Sequence, residues 1–206
     1  MYIPAHFAGP DDALAELLDR AGLADLVSVG PDGLAATPLP LLYDPATGGD
    51  GALLGHVARN NPHWHLDGAP SMVIVRGPDA YVSPSWYPSK AEHGRVVPTW
   101  NYLTVHVHGR LVVHDDPVWV EALVRRLTDR HEAGRRPPWS PDDAPPRYLA
   151  GQLRAIVGVE VAIERVEAKY KLSQNRSEAD VAAVSAALGA GSPAEQAVAA
   201  AMNQPG

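Results

Sequence analysis

An arginine and an asparagine follow a predicted strand at the point where the chain turns into a predicted helix. Residues 52–58 form an apolar strand pattern, Arg59 and Asn60 come next, and Pro62 suits the first turn of a helix that Asn60 or Asn61 can cap. Free amides, a helix dipole and a guanidinium would converge here, and together they bind phosphates and other anions. The sequence therefore predicts an anion site at this junction, with an ordinary surface salt bridge of Arg59 as the alternative.

His56 is a further candidate in the same strand, three residues before Arg59. Side chains at an odd separation point to opposite faces of a regular strand. Either the strand ends before Arg59, or only one of the two side chains faces a ligand.

The longest predicted strand, residues 99–113, carries a second group of candidate side chains. Its two faces are, on one side, Leu103, Val105, Val107, Leu111 and Val113, and on the other, Tyr102, Thr104, His106, His108 and Arg110. The second face suits a planar ligand with polar edges. A metal held by His106 and His108, with His56 as a third ligand, is the less favoured alternative because no carboxylate follows at a recognisable spacing.

Two prolines mark a third candidate segment in the strand predicted over residues 34–43. Pro38 and Pro40 lack the backbone N–H that a ladder needs, so this strand is expected at a sheet edge. The backbone beside Thr37 could then present its amides and carbonyls to a ligand.

The remaining elements predict a mainly β (α+β) fold. Strand patterns also cover residues 24–29 and 155–171, and residues 71–83 read as a hairpin around a turn at 77–79. Helices are predicted over residues 13–21 and 117–131, and capping boxes starting at Ser177 and Ser192 open two closing helices. Six to seven strands, mostly linked by turns, favour a closed or partly closed antiparallel barrel with peripheral helices.

Composition limits the classes of function. The 206 residues include no cysteine, which excludes disulfides and thiolate chemistry, and the formal net charge of −7 argues against nucleic-acid binding through a basic field. Neither a signal peptide nor an apolar run of membrane-spanning length is visible, so a cytoplasmic protein is expected. The fingerprints G-x-G-x-x-G and G-x-x-x-x-G-K-[ST] are absent.

Five spaced motifs carry a resemblance to a known family. They are M-Y-I-P-x-H-F at residues 1–7, G-H-V-A-R-N-N-P-H-W at 55–64, V-S-P-S-W-Y-P-S-K at 82–90, V-P-T-W-N-Y-L-T-V-H-V-H-G at 97–109 and K-L-S-Q-N-R at 171–176. This set resembles the PaiB-type family, bacterial proteins named as FMN-binding negative transcriptional regulators. The resemblance covers almost the whole chain.

The resemblance implies an FMN-binding split β-barrel over residues 1–176, with residues 177–206 as a helical pair on the same domain. It also implies a homodimer with the flavin at the subunit interface. The cofactor-binding residues that it implies, together with the patterns above, are Thr37 and Pro38 along the isoalloxazine edge, His56, Arg59 and Asn60 around the phosphate, Trp100 and Tyr102 beside the ring, and Lys171, Ser173, Gln174 and Arg176 from the partner subunit.

Two functions follow from this resemblance. The first is a flavin-binding regulator of transcription, acting directly or through a partner, although the acidic balance makes direct DNA contact doubtful. The second is a flavin-dependent oxidoreductase acting on a small molecule, related to pyridoxamine-phosphate oxidases or flavin reductases. No catalytic acid or base stands out, so the sequence leaves enzymatic activity open.

Overall fold

The fold was analysed in a computed structural model, which describes residues 1–20 and 22–204. Its strands are β1 Ala24–Gly30, β2 Gly33–Leu39, β3 Leu42–Asp44, β4 Ala52–Ala58, β5 Pro70–Val82, β6 Thr99–His114 and β7 Ile156–Lys171. Its α-helices are α1 Ala13–Arg20, α2 Ser89–His93, α3 Pro117–Glu132, α4 Pro146–Arg154, α5 Glu178–Gly189 and α6 Pro193–Met202. The helix predicted over residues 13–21 is α1, and its last predicted residue, Ala21, lies outside the described residues.

The seven strands form one sheet in the order β2-β1-β5-β6-β7-β4-β3. The strand that carries Pro38 is β2, at one end of this order, so the predicted edge position is confirmed. The predicted hairpin over residues 71–83 is wrong: β5 runs without a turn through Gly77. The predicted turn rested on the local preference of residues 77–79, Gly-Pro-Asp, for turns. Pairing of β5 with its neighbouring strands outweighs that preference.

The predicted strand over residues 34–43 is divided into β2 and β3. The break falls at Pro40 and Leu41, where the missing N–H of Pro40 ends the β2 ladder. After the break β3 pairs with β4, with Leu42 opposite Leu54. The two prolines therefore mark the end of a strand as well as an edge.

The chain divides into two compact units. Unit 1 comprises residues 1–21, 76–105 and 167–206, and unit 2 comprises residues 22–75 and 106–166. The predicted boundary between residues 176 and 177 was drawn from sequence motifs rather than from spatial contacts, and it stays a prediction. The last two residues of the predicted segment 177–206, residues 205 and 206, lie outside the described part of the chain.

One hydrophobic cluster of unit 2 lies between α3 and strands β3 and β4. It comprises Leu42, Ala52, Leu54, Leu123 and Leu127, with the partly buried Trp119 against it. Helix α3 begins where sequence predicts, because Asp116 accepts a hydrogen bond from the Val118 amide and Pro117 takes the first turn. This packing fixes one face of β4, the strand that leads into Arg59.

The two closing helices belong to unit 1, and their N-termini differ. At α6 the predicted capping box forms, because Ser192 and Glu195 exchange hydrogen bonds through their backbone and side chains. At α5 the Ser177 side chain accepts from the Asp180 amide, but the predicted box is incomplete. The Asp180 carboxylate instead accepts from the amide and hydroxyl of Ser89, at 3.1 and 2.8 Å. Asp180 therefore accepts from the distant Ser89 and not from the backbone amide of Ser177, as a capping box would require.

Replacing Asp180 with asparagine is expected to destabilise the protein by about 1–3 kcal/mol at neutral pH, because the half-buried donors of Ser89 lose the charge of the buried carboxylate that accepts from them. Burial raises the pKa of Asp180, but the hydrogen bonds from Ser89 and Ser177 and the charge of Arg176 lower it overall. The ionised group therefore stabilises the fold above about pH 4, and this stabilisation is lost as pH falls through the lowered pKa.

Urea unfolding at about pH 7 and about pH 3 measures both effects. Asp180→Asn should lose stability at the higher pH and show a flatter decline toward acid than the wild type. Glu178→Gln, which removes a charge from an exposed position of the same helix, is the control. An acid decline equal in Asp180→Asn and the wild type would contradict the assignment.

Candidate functional site

The candidate site in unit 2 begins at Arg59, immediately after the last residue of β4. Its Nη1 donates to Asp115 Oδ2 at 3.0 Å, and its Nη2 donates to Asp115 Oδ1 and, at 3.3 Å, to the carbonyl of Ile156. Its Nε donates to the carbonyl of Arg154 at 2.8 Å. These bonds hold the guanidinium in one orientation on a half-exposed surface.

The ion pair of Arg59 with Asp115 shifts both groups toward their charged forms. Hydrogen bonding to Arg59 lowers the pKa of Asp115, and hydrogen bonding to Asp115 raises the pKa of Arg59. Both side chains remain accessible, with 38% and 52% of their side-chain surface exposed. An anion approaching Arg59 would therefore meet a fixed positive charge whose present partner is a carboxylate.

The segment after Arg59 differs from the predicted helix. Residues Pro62–His65 form a single 3-10 turn, capped by Asn61, whose side chain accepts from the His63 amide at 2.9 Å. Asn61 is thus the capping residue of the two that the sequence offered, and the side chain of Asn60 is exposed. Such a short turn has little helix dipole, so the anion-binding chemistry at this junction rests on Arg59.

A buried chain of hydrogen bonds joins this segment to β2. Asn61 Nδ2 donates to Thr37 Oγ1 at 3.1 Å, and Thr37 Oγ1 lies 2.9 Å from His63 Nδ1. His63 Nε2 lies 2.8 Å from Ser28 Oγ, which lies 2.6 Å from Ser71 Oγ. The predicted residue Thr37 and the predicted segment at Arg59 are thereby brought together, and Pro38 is the next residue along the exposed edge strand.

Most members of this network were not among the candidate residues predicted from the sequence. Ser28 offered one signal, since it occupies an inward position of β1, in register with Leu26, where an apolar residue is expected. His63 offered another, as an imidazole directly after the capping Asn-Pro pair. A hydroxyl and an imidazole that are 1% and 2% exposed need buried partners, and here they are partners of each other.

His56, the candidate residue within β4, faces a separate cavity. Strand β4 ends at Ala58, so the first of the two sequence alternatives holds and the alternation stops before Arg59. His56 lines a cavity of about 290 Å³ with residues of α3, including Val124 and Leu127. Burial lowers the pKa of His56, and its Nδ1 is a buried atom that has no hydrogen-bond partner among the described residues.

In unit 1, Lys171 is the best-positioned of the predicted residues. Its ammonium donates to Thr99 Oγ1 at 2.6 Å and to the carbonyl of Trp100. Burial, and then the charges of Lys169 and Arg176, lower the pKa of Lys171. Lys171 and Trp100, which were predicted separately, are therefore in direct contact.

Ser173 and Gln174 follow in a tight turn. Ser173 has a φ of 69°, which is uncommon for a residue with a side chain, and its hydroxyl donates to the fully buried Asn101 at 3.1 Å. Gln174 accepts from the Leu172 amide and donates to the Tyr170 carbonyl. Gln174 also lines a cavity of about 370 Å³ in unit 1, whose walls include Leu103 and Met202.

The remaining predicted residues of unit 1 are aromatic or contact aromatic rings. Arg176 lies over the ring of Tyr87, with 4.9 Å between its guanidinium carbon and the ring centroid. Trp100 is 52% exposed and meets Tyr81 edge to face at 6.3 Å. The Lys169 ammonium lies 5.5 Å from the ring centroid of Tyr102. An exposed indole of this kind offers a flat apolar surface to a ligand or a partner.

Comparison with known proteins identifies the family of this chain. Residues 1–165 match the family model described as "Putative FMN-binding domain". The "Protease synthase and sporulation protein PAI 2" of Bacillus subtilis is 33% identical over 87% of this chain and 85% of its own length. An uncharacterised protein of Saccharomyces cerevisiae is 30% identical over 66% of this chain and 92% of its own length.

Solved structures show the same fold at low identity. The flavocytochrome Anf3 of Azotobacter vinelandii matches with a TM-score of 0.61 and 15% identity, over 84% of this chain and 73% of that protein. An FAD and heme binding protein of Mycobacterium smegmatis matches with a TM-score of 0.53 and 22% identity, over 84% and 78% of the two chains. The predicted split-barrel fold class is confirmed.

Proposed function

This chain belongs to the PaiB-type family of FMN-binding domains and its cofactor is FMN, and we propose that it is a regulatory flavoprotein. In this proposal Arg59 and the edge strand β2 hold the FMN in unit 2. The observation that carries the placement is the hydrogen-bonded link from Thr37 to Asn61. It makes the edge strand and the segment after Arg59 one structural element. The name of the Bacillus relative, which refers to protease synthesis and sporulation, supports a regulatory role.

The residues of this site suit the two ends of FMN. The phosphate requires a cation that can form a forked hydrogen bond, and Arg59 presents one on an accessible surface. The isoalloxazine requires donors and acceptors along a flat edge. Strand β2 ends the strand order, so one of its hydrogen-bonding sides has no strand neighbour within the described part of the chain. The redox state of bound FMN, or its presence or absence, would then be the signal to which the protein responds.

The other predicted features belong to the same proposal. We propose a cytoplasmic homodimer with the flavin at the subunit interface, to which the partner's segment 171–176 contributes. The contact of Lys171 with the Trp100 carbonyl supports this by giving that segment a defined conformation. With a net charge of −7, regulation through a protein partner is favoured over direct DNA contact.

The first experiment is an absorbance spectrum of the purified protein before and after FMN is added and removed by desalting. Retained flavin bands are expected, and their absence after reconstitution would overturn the placement. Steady oxidation of reduced nicotinamide by the FMN-loaded protein would replace the regulatory role with the oxidoreductase alternative. The regulatory role predicts instead that FMN changes the retention of a partner protein or of promoter DNA at low salt.

Asp115→Asn is expected to raise the affinity for FMN by about two- to fivefold. The substitution removes a carboxylate that competes with the phosphate for the Arg59 guanidinium, and exposed ion pairs of this kind have modest strength. Fluorescence quenching on titration with FMN measures the change. Riboflavin, which lacks the phosphate, is the control ligand and should bind the variant and the wild type equally. Unchanged or weaker FMN binding would place the phosphate elsewhere.

A further inference from the structure

The direction of every hydrogen bond in the buried chain around His63 can be assigned from its two ends. At one end Ser71 Oγ donates to the carbonyl of Ala69 at 3.1 Å, so it accepts from Ser28 Oγ. Ser28 must then accept from His63 Nε2. Each hydroxyl has a single hydrogen, so once it donates to one partner it must accept from the other.

The other end of the chain fits the same tautomer. Asn61 is oriented by its Oδ1, which accepts from the His63 amide, so its Nδ2 is the donor to Thr37 Oγ1. The Thr37 hydroxyl hydrogen is then available for His63 Nδ1, which accepts it at 2.9 Å. The Ser71 end therefore requires a hydrogen on Nε2, and the Thr37 end is completed by a neutral imidazole whose Nδ1 accepts from the hydroxyl.

We propose that His63 is a positioning residue for FMN: as the neutral Nε2–H tautomer, it holds the Thr37 hydroxyl and so fixes edge strand β2 against the segment that carries Arg59. This inference rests on the proposed placement of FMN in unit 2. Because the Thr37 hydroxyl donates to His63, its hydrogen is not available to the isoalloxazine, which in this proposal meets the backbone of β2.

The surroundings of His63 keep the imidazole neutral. Burial lowers the pKa of His63. The strands packed against it present apolar or hydroxyl side chains on this face. Asp32 lines the same cavity of about 190 Å³, and the exposed His65 lies two residues further along the same turn. The side chains on the three strands are Leu26 and Ser28 of β1, Ala35 and Thr37 of β2, and Ser71 and Val73 of β5.

A protonated His63 would have no acceptor for the Thr37 hydroxyl. The neutral form prevails above the ordinary pKa near 6.5, and the network is lost as pH falls through the lowered folded-state pKa. Flavin affinity should fall over the same range. The phosphate of FMN itself titrates near pH 6, so riboflavin is the ligand with which this dependence is measured.

Two substitutions separate the two nitrogens of the ring. His63→Asn places a carbonyl oxygen near the position of Nδ1 and keeps an acceptor for Thr37, whereas His63→Gln places an amide nitrogen near Nε2 and keeps a donor for Ser28. We expect His63→Asn to bind FMN within about threefold of the wild type and His63→Gln to bind it at least about tenfold more weakly. Neither variant should retain the acid loss of riboflavin affinity.

The control is His65→Gln, which changes an exposed imidazole in the same turn and should leave affinity and its pH dependence unchanged. Equal affinities for the wild type and both His63 variants would overturn the proposal, and so would equal losses in both variants. The ring nitrogen shifts of His63 in the flavin-free protein report the tautomer by NMR, and amide exchange at Thr37 reports the order of β2. If the wild type binds no flavin, the proposed function fails, and these two measurements still decide whether His63 holds Thr37.

Discussion

Gly109→Ala is expected to destabilise the protein by about 3 kcal/mol, the upper end of the cost of over-packing a core. Gly109 lies in the buried part of β6, and a Cβ at this position would stand 2.0 Å from the carbonyl oxygen of Ala162 in β7. A backbone carbonyl cannot rotate away as a side chain can. The two strands would have to separate, and ladder hydrogen bonds would lengthen with them.

The cause is space rather than backbone conformation, because Gly109 is not among the glycines with positive φ. Gly151→Ala is the matched control: Gly151 lies in α4, where a methyl group would meet none of the described atoms beyond its own helix within 4 Å, and the variant should gain about 0.5–1 kcal/mol from helix propensity. Urea unfolding of the three proteins measures both changes. A free energy of unfolding for Gly109→Ala within about 0.5 kcal/mol of the wild type would contradict the close approach of the strands.

The sequence could predict the strands because their periodicity is strong. In β6 the apolar face is buried as the alternation requires, with Leu103, Val105, Val107 and Leu111 at most 3% exposed. The same face also holds Asn101, fully buried, which no periodic rule would place there. Its partner is Ser173, which lies 72 residues away in the sequence. Local patterns predict which face is inside, but they do not identify the distant partner that permits a polar group there.

The candidate site shows the same division. The end of β4 before Arg59 and the capping role of an asparagine could be predicted, since both depend on neighbouring residues. The partners of Arg59 could not, because Asp115 and the Arg154 carbonyl come from segments 56 and 95 residues away. The role of His63 could not be predicted for the same reason. Its partners Thr37 and Ser28 lie on two different strands, and only the register of β1 with β2 brings them to one imidazole.

Arg59→Ala is expected to weaken FMN binding by roughly ten- to hundredfold, the usual effect of losing a charge-assisted hydrogen bond to a phosphate. The effect should be confined to the phosphate. Riboflavin should bind the variant about as well as it binds the wild type, so the preference for FMN over riboflavin should disappear. Titrations with both ligands at two salt concentrations measure this, and the preference in the wild type should decrease as salt rises.

Arg110 provides a control that is matched in its contacts. Arg110 is more exposed than Arg59, but like Arg59 it donates to a backbone carbonyl, that of Gly68, and pairs with a carboxylate, that of Glu164. Arg110→Ala therefore removes the same kinds of interaction from the same unit but should leave FMN affinity within about twofold. Equal losses in the two variants would mean that FMN senses the overall charge of the surface. A loss in Arg59→Ala alone would place the phosphate at the end of β4, where the guanidinium would exchange the Asp115 carboxylate for the phosphate of the cofactor.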